Sequence, residues 1–180
     1  IELNSLVESK LINKHKGYYF LPHQSNEIVE QRKEKEILAK QFLEKSKRYS
    51  ALISKFPFVR GVCISGSLSK GVMEKDGDVD YFIITEKGRL WICRSLLILF
   101  KKVFLLNSRK YFCTNYFVDL DNLEIPDKNL FTATEINSLK PVFSSIYFDA
   151  FVKQNNLTIE FQPNYIRNDQ NSSIKDSNTF

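Results

Sequence analysis

The sequence predicts an α/β (α+β) fold in which a small mixed β-sheet is flanked by helices. Strand-like apolar runs occur at residues 59–65, 78–85 and 111–118, and helical patterns separate them. With 180 residues, 43% of them hydrophobic, the chain can form one domain with a sizeable core and a small appendage. We place this main domain at residues 26–153.

The elements of the main domain follow from hydrophobic periodicity and from helix-breaking residues. A long helix begins at Ser25 or Asn26 and ends near Lys55, because Pro57 disfavours the α conformation in the residue before it. The remaining predicted elements are a helix at 89–106, a turn at 119–122, a short strand at 123–125 and helices at 132–139 and 142–151.

The two ends of the chain are predicted to lie outside the main domain. Residues 1–25 read as a helix, a turn at 13–17 and a strand at 18–21. This order resembles the end of a winged-helix domain; the alternative that we favour is a hairpin that packs on the main domain. Residues 154–180 are rich in Asn, Gln, Ser and Asp, so we expect a disordered tail.

Composition narrows the function classes. A net charge of +5 and a pI of about 9.0 favour acidic partners such as nucleotides or nucleic acid, although a Lys-rich solvated surface has the same composition. The three cysteines are isolated in apolar runs, which is typical of reduced thiols in a cytoplasmic protein. Both histidines lie in a polar N-terminal stretch, which argues against a histidine zinc site or a Ser/His/Asp triad. No run approaches the roughly twenty apolar residues that cross a membrane.

The stretch from Ile64 to Thr85 carries the chemistry. An apolar strand leads into Gly66-Ser67 at the start of a helix, and a second strand begins with Asp78-x-Asp80. Since alternate strand residues point to one face, the two carboxylates are expected to project together. Two adjacent carboxylates repel each other unless a cation lies between them, and Mg²⁺ is the usual cation beside phosphate.

The Gly-Ser turn is the predicted nucleotide-binding element. Gly66 allows a tight turn and a close approach of the backbone to a ligand, and the helix N-terminus offers backbone N–H groups to phosphate. Ser67 adds a hydroxyl donor, and Lys70 could neutralise phosphate charge. We therefore name Gly66, Ser67, Ser69 and Lys70 as candidate nucleotide-binding residues.

These motifs together resemble the nucleotidyltransferase superfamily, which includes DNA polymerase beta-like and minimal nucleotidyltransferase domains. The resemblance covers residues 58–118, about a third of the chain. It implies that Asp78 and Asp80 ligate two Mg²⁺ ions and that Gly66 and Ser67 hold the triphosphate of an NTP. An acceptor hydroxyl would then displace pyrophosphate. The acceptor is not implied by the motif.

The sequence departs from the family pattern on the third strand, which should carry a third carboxylate. The centre of that strand offers Asn115 and no acid. Two alternatives stay open: Asp119 at the strand's end supplies the third ligand, or Asn115 occupies its place and catalysis is weakened. Asp119 is accordingly included with Asp78 and Asp80 as a candidate catalytic residue.

Three functions are compatible with this sequence. The first is a cytoplasmic, metal-dependent nucleotidyltransferase that moves an NMP group from an NTP to a hydroxyl. The second is a catalytically weak or inactive nucleotide-binding regulatory module of the same fold, which the missing central acid favours. The third is a nucleic-acid-binding protein, which the basic charge and the winged-helix-like piece favour. None of the three requires a membrane.

Overall fold

A computed structural model describes residues 3–108, 110–156 and 160–165. Most predicted elements are present, with shifts of a few residues at their ends. The elements in chain order are α1 (Leu3–Glu8), β1 (Asn13–His15), β2 (Tyr18–Phe20), α2 (Glu27–Ile53), β3 (Val59–Ile64), α3 (Gly66–Ser69), β4 (Asp80–Thr85), α4 (Leu90–Phe104), β5 (Cys113–Asp119), α5 (Leu130–Ser138), β6 (Lys140–Phe143) and α6 (Ser145–Gln154).

The main sheet has four strands in the order β5-β4-β3-β6. Strand β3 is antiparallel to both of its neighbours, β4 and β6, whereas β4 and β5 run parallel. The sheet is therefore mixed, as the sequence predicts. The predicted end of the long helix before Pro57 is also observed, since α2 ends at Ile53.

Helices cover both faces of this sheet, and each face has its own hydrophobic core. Tyr81 and Ile83 of β4 point into a core formed with α2 and α4. Phe82 and Ile84 point the other way, into a core formed with α5 and α6. Alternate residues of one strand are thus buried on opposite sides, which explains why β4 is an almost continuous apolar run. The predicted fold class is confirmed.

The N-terminal hairpin differs from its prediction and packs on α2. Residues 13–15 were expected to be a turn, but they form β1 and pair with β2. The turn is reduced to Lys16 and Gly17, whose φ angles of 48° and 86° fit a two-residue hairpin loop. Lys16 Nζ lies 2.6 Å from Glu30 Oε1, and the Tyr18 hydroxyl donates to Glu36 Oε2 at 2.8 Å. The hairpin therefore contacts the first helix of the main domain.

Two predictions for the C-terminal half are wrong. Residues 123–125 are not a strand, and among the described residues they pair with no strand of either sheet. The backbone of this segment is instead hydrogen-bonded by the Asn155 side chain, which accepts from Ile125 N and donates to Leu123 O, both at 2.7 Å. Residues 142 and 143 belong to β6 and not to a helix. Pro141 lacks an N–H donor, and it is tolerated because β6 is an edge strand.

Part of the predicted tail is packed against the domain. Phe161 contacts the core under α5 and α6. Gln162 hydrogen-bonds Asn137 and Thr134, and the Tyr165 hydroxyl donates to the Asn137 carbonyl at 2.6 Å. Residues 160–165 are thus ordered by contacts with α5, which differs from the expected disorder. Gln154 ends α6 and Asn155 is buried, so the start of the predicted tail also belongs to the packed structure. Residues 157–159 and 166–180 lie outside the described residues.

Within the described part of the chain, no helix is both long enough and apolar enough to cross a membrane.

Candidate active site

The Gly-Ser turn lies at the end of β3. Ser65 is still extended, with φ −123° and ψ −172°. Gly66 then adopts φ +66°, a left-handed conformation that favours glycine. The chain enters the single turn of α3 directly afterwards, and the first N–H groups of such a turn have no acceptor within the helix. The predicted strand-to-helix turn is present.

This turn contacts the start of β4. The Ser65 amide donates to the Asp80 carbonyl at 2.9 Å. A Cβ atom on Gly66 would lie only 2.7 Å from Asp80 Oδ2, closer than real Cβ contacts allow. The two motifs are fourteen residues apart in the chain, yet antiparallel pairing of Ile64 with Tyr81 brings them together.

Asp80 lies beside this turn and begins β4, and Asp78 precedes the strand by two residues. Val79, between them, is fully buried, and its amide donates to the Lys110 carbonyl at 3.0 Å. Partial burial raises the pKa of the Asp80 carboxyl, and the negative charges of Asp78 and Glu135 raise it further. Two further carboxylates therefore lie close enough to Asp80 to repel its charge.

Cys113 is the residue of β5 that faces Asp80. The two residues pair directly in the parallel ladder, and the Cys113 thiol hydrogen-bonds the Asp80 carboxylate. Burial, and then the neighbouring Asp80 carboxylate, raise the pKa of this thiol to about 11. Asn115 lies where the register shifts between β4 and β5, and its side chain is exposed. The position next to Asp80 is thus held by a neutral thiol.

Asp119 lies at the other end of the strand. It pairs with Thr85, five residues along β4 from Asp80, which corresponds to roughly 16 Å at the usual rise per strand residue. Its Oδ1 accepts from the amides of Asp121 and Asn122, each at 3.0 Å, and so stabilises the turn after β5. The structure does not bring Asp119 to the two other aspartates.

The remaining candidate residues of the Gly-Ser turn have different surroundings. Ser69 is buried, and its hydroxyl donates to the Gly66 carbonyl at 2.7 Å, which stabilises the turn itself. Ser67 is exposed and lines a pocket with Arg32 and Lys35 of α2. Lys70 forms an ion pair with Glu135 of α5. The Ser69 hydroxyl is thus bound within the turn and Lys70 is paired with Glu135, whereas the Ser67 side chain is exposed.

A family model described as "Nucleotidyltransferase domain" matches residues 40–142, which is more than half of the chain. The chain belongs to this family. The match begins within α2 and ends in β6, so it includes the Gly-Ser turn, both aspartates and β5. No curated protein and no solved structure gives a significant match. The resemblance found in the sequence is confirmed, and nucleotidyl transfer is the general activity that the family supports.

The donor groups of this nucleotidyltransferase domain fit a divalent cation that is shared with a substrate. Within residues 3–108, 110–156 and 160–165, no three Cys, His, Asp or Glu side chains form a ready-made metal cluster. Asp78 and Asp80 offer two carboxylates, and Mg²⁺ is commonly held by one or two carboxylates with water and substrate phosphates as its other ligands. The chemistry of this donor set therefore suits Mg²⁺ in the presence of a triphosphate.

Two residues of the site are missing from the sequence-based candidates. Glu135 lies in α5, more than fifty residues after Asp80, and no motif spacing connects it to the aspartates. Cys113 belongs to the strand on which the family pattern predicts an acid, but its pairing with Asp80 depends on the register shift between β4 and β5. Neither position has a sequence signal that would have identified it.

Proposed function

We propose that this protein transfers an NMP group from an NTP to a hydroxyl of an acceptor in a metal-dependent reaction. The contact between Gly66 and Asp80 is the observation that carries this proposal. The Gly66 backbone lies directly against the Asp80 carboxylate, which supports a site where phosphate and metal would bind side by side. Membership of the nucleotidyltransferase family supports the reaction class.

Each residue has a defined role in this proposal. Gly66 leaves room for phosphate beside the backbone, and Ser67 donates its hydroxyl to a phosphate oxygen. Asp78 and Asp80 would hold Mg²⁺, as one or two ions, together with the triphosphate. A bound divalent cation would polarise the phosphoryl oxygens and neutralise charge on the leaving group. The acceptor oxygen forms a bond to the α-phosphorus, the bond to the β-phosphate oxygen breaks, and the hydroxyl proton and pyrophosphate leave.

A second candidate function is a nucleotide-binding module with weak or no catalysis. The observation that favours it is the thiol of Cys113 at the position beside Asp80. A protonated thiol is a poor metal ligand and a poor base. Nucleotide binding would persist in such a module, because the Gly-Ser turn and both aspartates remain.

Calorimetric titration tests whether an NTP binds at this site, as both candidate functions require. ATP and then the other NTPs are titrated with and without Mg²⁺ into the wild type and into Asp78→Asn/Asp80→Asn. Asp76→Asn, which changes an exposed carboxylate of the same loop, is the control. Binding that requires both Mg²⁺ and the two aspartates supports the site. Failure of every NTP to bind a folded protein would rule out both candidate functions.

Turnover then decides between the two candidates. The release of pyrophosphate is measured with saturating NTP and a screen of hydroxyl-bearing acceptors. Turnover that is lost in Asp78→Asn/Asp80→Asn and kept in Asp76→Asn supports the enzyme. Tight NTP binding without pyrophosphate release under any acceptor supports the non-catalytic module.

A further inference from the structure

Helix α4 presents a row of apolar side chains to solvent. Ile92, Leu99 and Val103 are 46%, 58% and 58% exposed, and Leu96 between them is partly buried. These four residues follow one another at intervals of four, three and four, which places them in one row along a helix. We call this row the α4 stripe. A different side of the helix, which includes the fully buried Leu97, packs in the core formed with α2.

The exposed apolar surface extends beyond the stripe to both ends of the helix. Trp91 is 71% exposed, Phe104 is 69% exposed, and Leu106 in the turn after α4 is 89% exposed. At about 150–250 Å² for each fully exposed side chain, the exposed residues of the stripe and these three leave roughly 700 Å² accessible. The largest apolar patch of a typical monomer is about 300–600 Å², and a stable interface takes about 800 Å² from each partner. The surface of α4 therefore has the size of one side of an interface.

The charges of α4 favour an antiparallel pairing with a second α4. The helix contains Arg94, Lys101 and Lys102 and no Asp or Glu. With about 3.6 residues per turn, Arg94 and Lys101 lie on the side away from the stripe, and Lys102 flanks the stripe on the same side as Trp91. Equivalent flanks meet when two copies of a helix pair antiparallel, so Lys102 of each copy would approach the Trp91 ring of the other. A cation over an indole ring is a favourable contact, and antiparallel helix dipoles also attract each other.

We propose that α4 is a homodimer interface in which the α4 stripes of two copies pack antiparallel about a twofold axis. A twofold interface requires a self-complementary surface. The stripe is self-complementary because its spacing of four, three and four is the same when it is read from either end. Ile92 of each copy would then meet Val103 of the other, and Leu96 would meet Leu99. Neither a lipid surface nor an unrelated protein requires such a symmetric spacing.

This pairing leaves the candidate active site accessible. Helix α4 packs on the face of the sheet to which Tyr81 and Ile83 point. Asp80 precedes Tyr81 in β4, and alternate strand residues point to opposite faces, so Asp80 projects to the other face. Dimerisation and NTP binding are therefore separate properties, and the dimer does not depend on the proposed function.

The mass of the full chain in solution is the first test. Sedimentation equilibrium is measured over a range of concentrations that reaches well above the micromolar range. We expect twice the monomer mass of 21.1 kDa, with a dissociation constant in the micromolar range or below. A mass that stays at 21.1 kDa at every concentration would overturn the proposal.

A matched pair of double variants locates the interface. Leu99→Glu/Val103→Glu should weaken dimerisation by about a hundredfold or more, because the new carboxylates would be buried against apolar side chains. Phe131→Glu/Ile146→Glu changes apolar residues that are 73% and 64% exposed on α5 and α6, and it should leave the dimer intact. A dimer that persists in the first variant, or that is weakened equally in both, would contradict the assignment. Circular dichroism confirms that both variants are folded.

Disulfide crosslinking tests the antiparallel orientation. Ile92→Cys and Val103→Cys are oxidised with copper phenanthroline, separately and as a mixture, beside the wild type with its three native cysteines. The antiparallel pairing should give a disulfide between the two variants and none within either variant alone. Crosslinks within each variant alone would indicate a parallel pairing and contradict the proposal.

A lipid surface is the rival partner of an apolar helix that carries basic residues. The wild type is mixed with vesicles of phosphatidylcholine and phosphatidylserine and separated by flotation. We expect the dimer to remain unbound, because the α4 stripe is covered. A monomer that binds these vesicles, and loses this binding in Leu99→Glu/Val103→Glu, would overturn the proposal. Mg²⁺-dependent NTP binding should be equal in the wild type and this variant, so its failure in both would concern the proposed function alone.

Discussion

Gly66 lies against Asp80 so closely that a single added Cβ atom would approach Asp80 Oδ2 to 2.7 Å. The backbone at Gly66 also has φ +66°, where residues with a side chain are strained. Glycine is therefore required at position 66 for two reasons: the backbone has a positive φ, and the Asp80 carboxylate leaves no room for a side chain. These two requirements can be separated by experiment, because another glycine has only the first of them.

We expect Gly66→Ala to destabilise the fold and to abolish NTP binding. The left-handed backbone alone costs about 1–3 kcal/mol in the free energy of unfolding, and the Cβ atom must displace the Asp80 carboxylate. Gly88→Ala is the matched control, since Gly88 has φ +65° and no heavy atom within 4 Å of a built Cβ. Urea denaturation should show a loss of stability in both variants, and calorimetry should show loss of NTP binding only in Gly66→Ala. Unchanged binding in Gly66→Ala would mean that Asp80 is not part of the nucleotide site.

The two motifs that meet at Gly66 and Asp80 could be identified from the sequence because each directly adjoins an apolar strand, whereas their contact depends on the antiparallel pairing of β3 and β4. The apolar runs of β3 and β4 are buried on both faces, and the Gly-Ser and Asp-x-Asp motifs directly adjoin them. Strand β6 has no such signal in the sequence. It has four residues, which are too few to show an alternation of apolar and polar side chains, and they include Pro141.

The β5 residue that lies beside Asp80 also depends on long-range strand pairing and therefore could not be predicted from the sequence. The register between β4 and β5 shifts by one residue between Tyr81 and Phe82. Counting back from the pair Phe82–Tyr116 would make Thr114 the partner of Asp80, but the observed partner is Cys113. Strand alternation predicts Asp119 on the same face as Asn115, but the pairing puts Asp119 opposite Thr85. A bulge of this kind depends on the contacts of two strands and has no signature within either one.

Asn155 is predicted to be a major determinant of stability. Its side chain accepts from Ile125 N and donates to the carbonyls of Leu123 and Phe151, all within a buried environment. Asn155→Ala leaves a buried amide and a buried carbonyl of segment 123–125 without partners, which should lower the free energy of unfolding by about 2–4 kcal/mol. Urea denaturation measures this change. The neighbouring Asn156 is exposed, and Asn156→Ala should have no comparable effect.

Stability should also fall at alkaline pH through Cys93. Burial in the core under α2 and α4 raises the pKa of the Cys93 thiol from 9.0 to about 11. A pKa that is higher in the folded than in the unfolded protein contributes stability below the unfolded value, and this contribution is lost as pH rises through the folded value. The affected window is therefore pH 9 to 11, and the loss is up to about 3 kcal/mol for two pKa units.

The variant Cys93→Ala isolates this contribution from other groups that titrate at high pH. It should be less stable than the wild type at pH 8, because a buried side chain is truncated. Its stability should then fall less steeply between pH 9 and 11. Parallel pH profiles of the wild type and Cys93→Ala, measured by urea denaturation, would show that the thiol is not responsible.

The identity of the residue beside Asp80 should decide the rate of the proposed nucleotidyl transfer. Cys113 pairs with Asp80 and hydrogen-bonds its carboxylate, so Cys113→Asp adds a third carboxylate where the metal would lie. If the thiol limits catalysis, Mg²⁺-dependent turnover should rise by about tenfold or more, which corresponds to about 1.4 kcal/mol of transition-state stabilisation. The same substitution should lower the melting temperature of the metal-free protein, because the new charge repels Asp78, Asp80 and Glu135. Added Mg²⁺ and NTP should restore it.

Asn115→Asp is the control for this prediction. It adds the same charge to the same strand, but at an exposed position beside the register shift. Turnover and melting temperature should therefore stay close to those of the wild type. Pyrophosphate release with a responsive acceptor measures turnover, and calorimetry without an acceptor measures NTP affinity. A rise in turnover in Asn115→Asp without a rise in Cys113→Asp would mean that β5 has a different register in the NTP-bound protein. No gain in either variant, with tight NTP binding in both, would favour the non-catalytic module, since a third carboxylate would then not be what the site lacks.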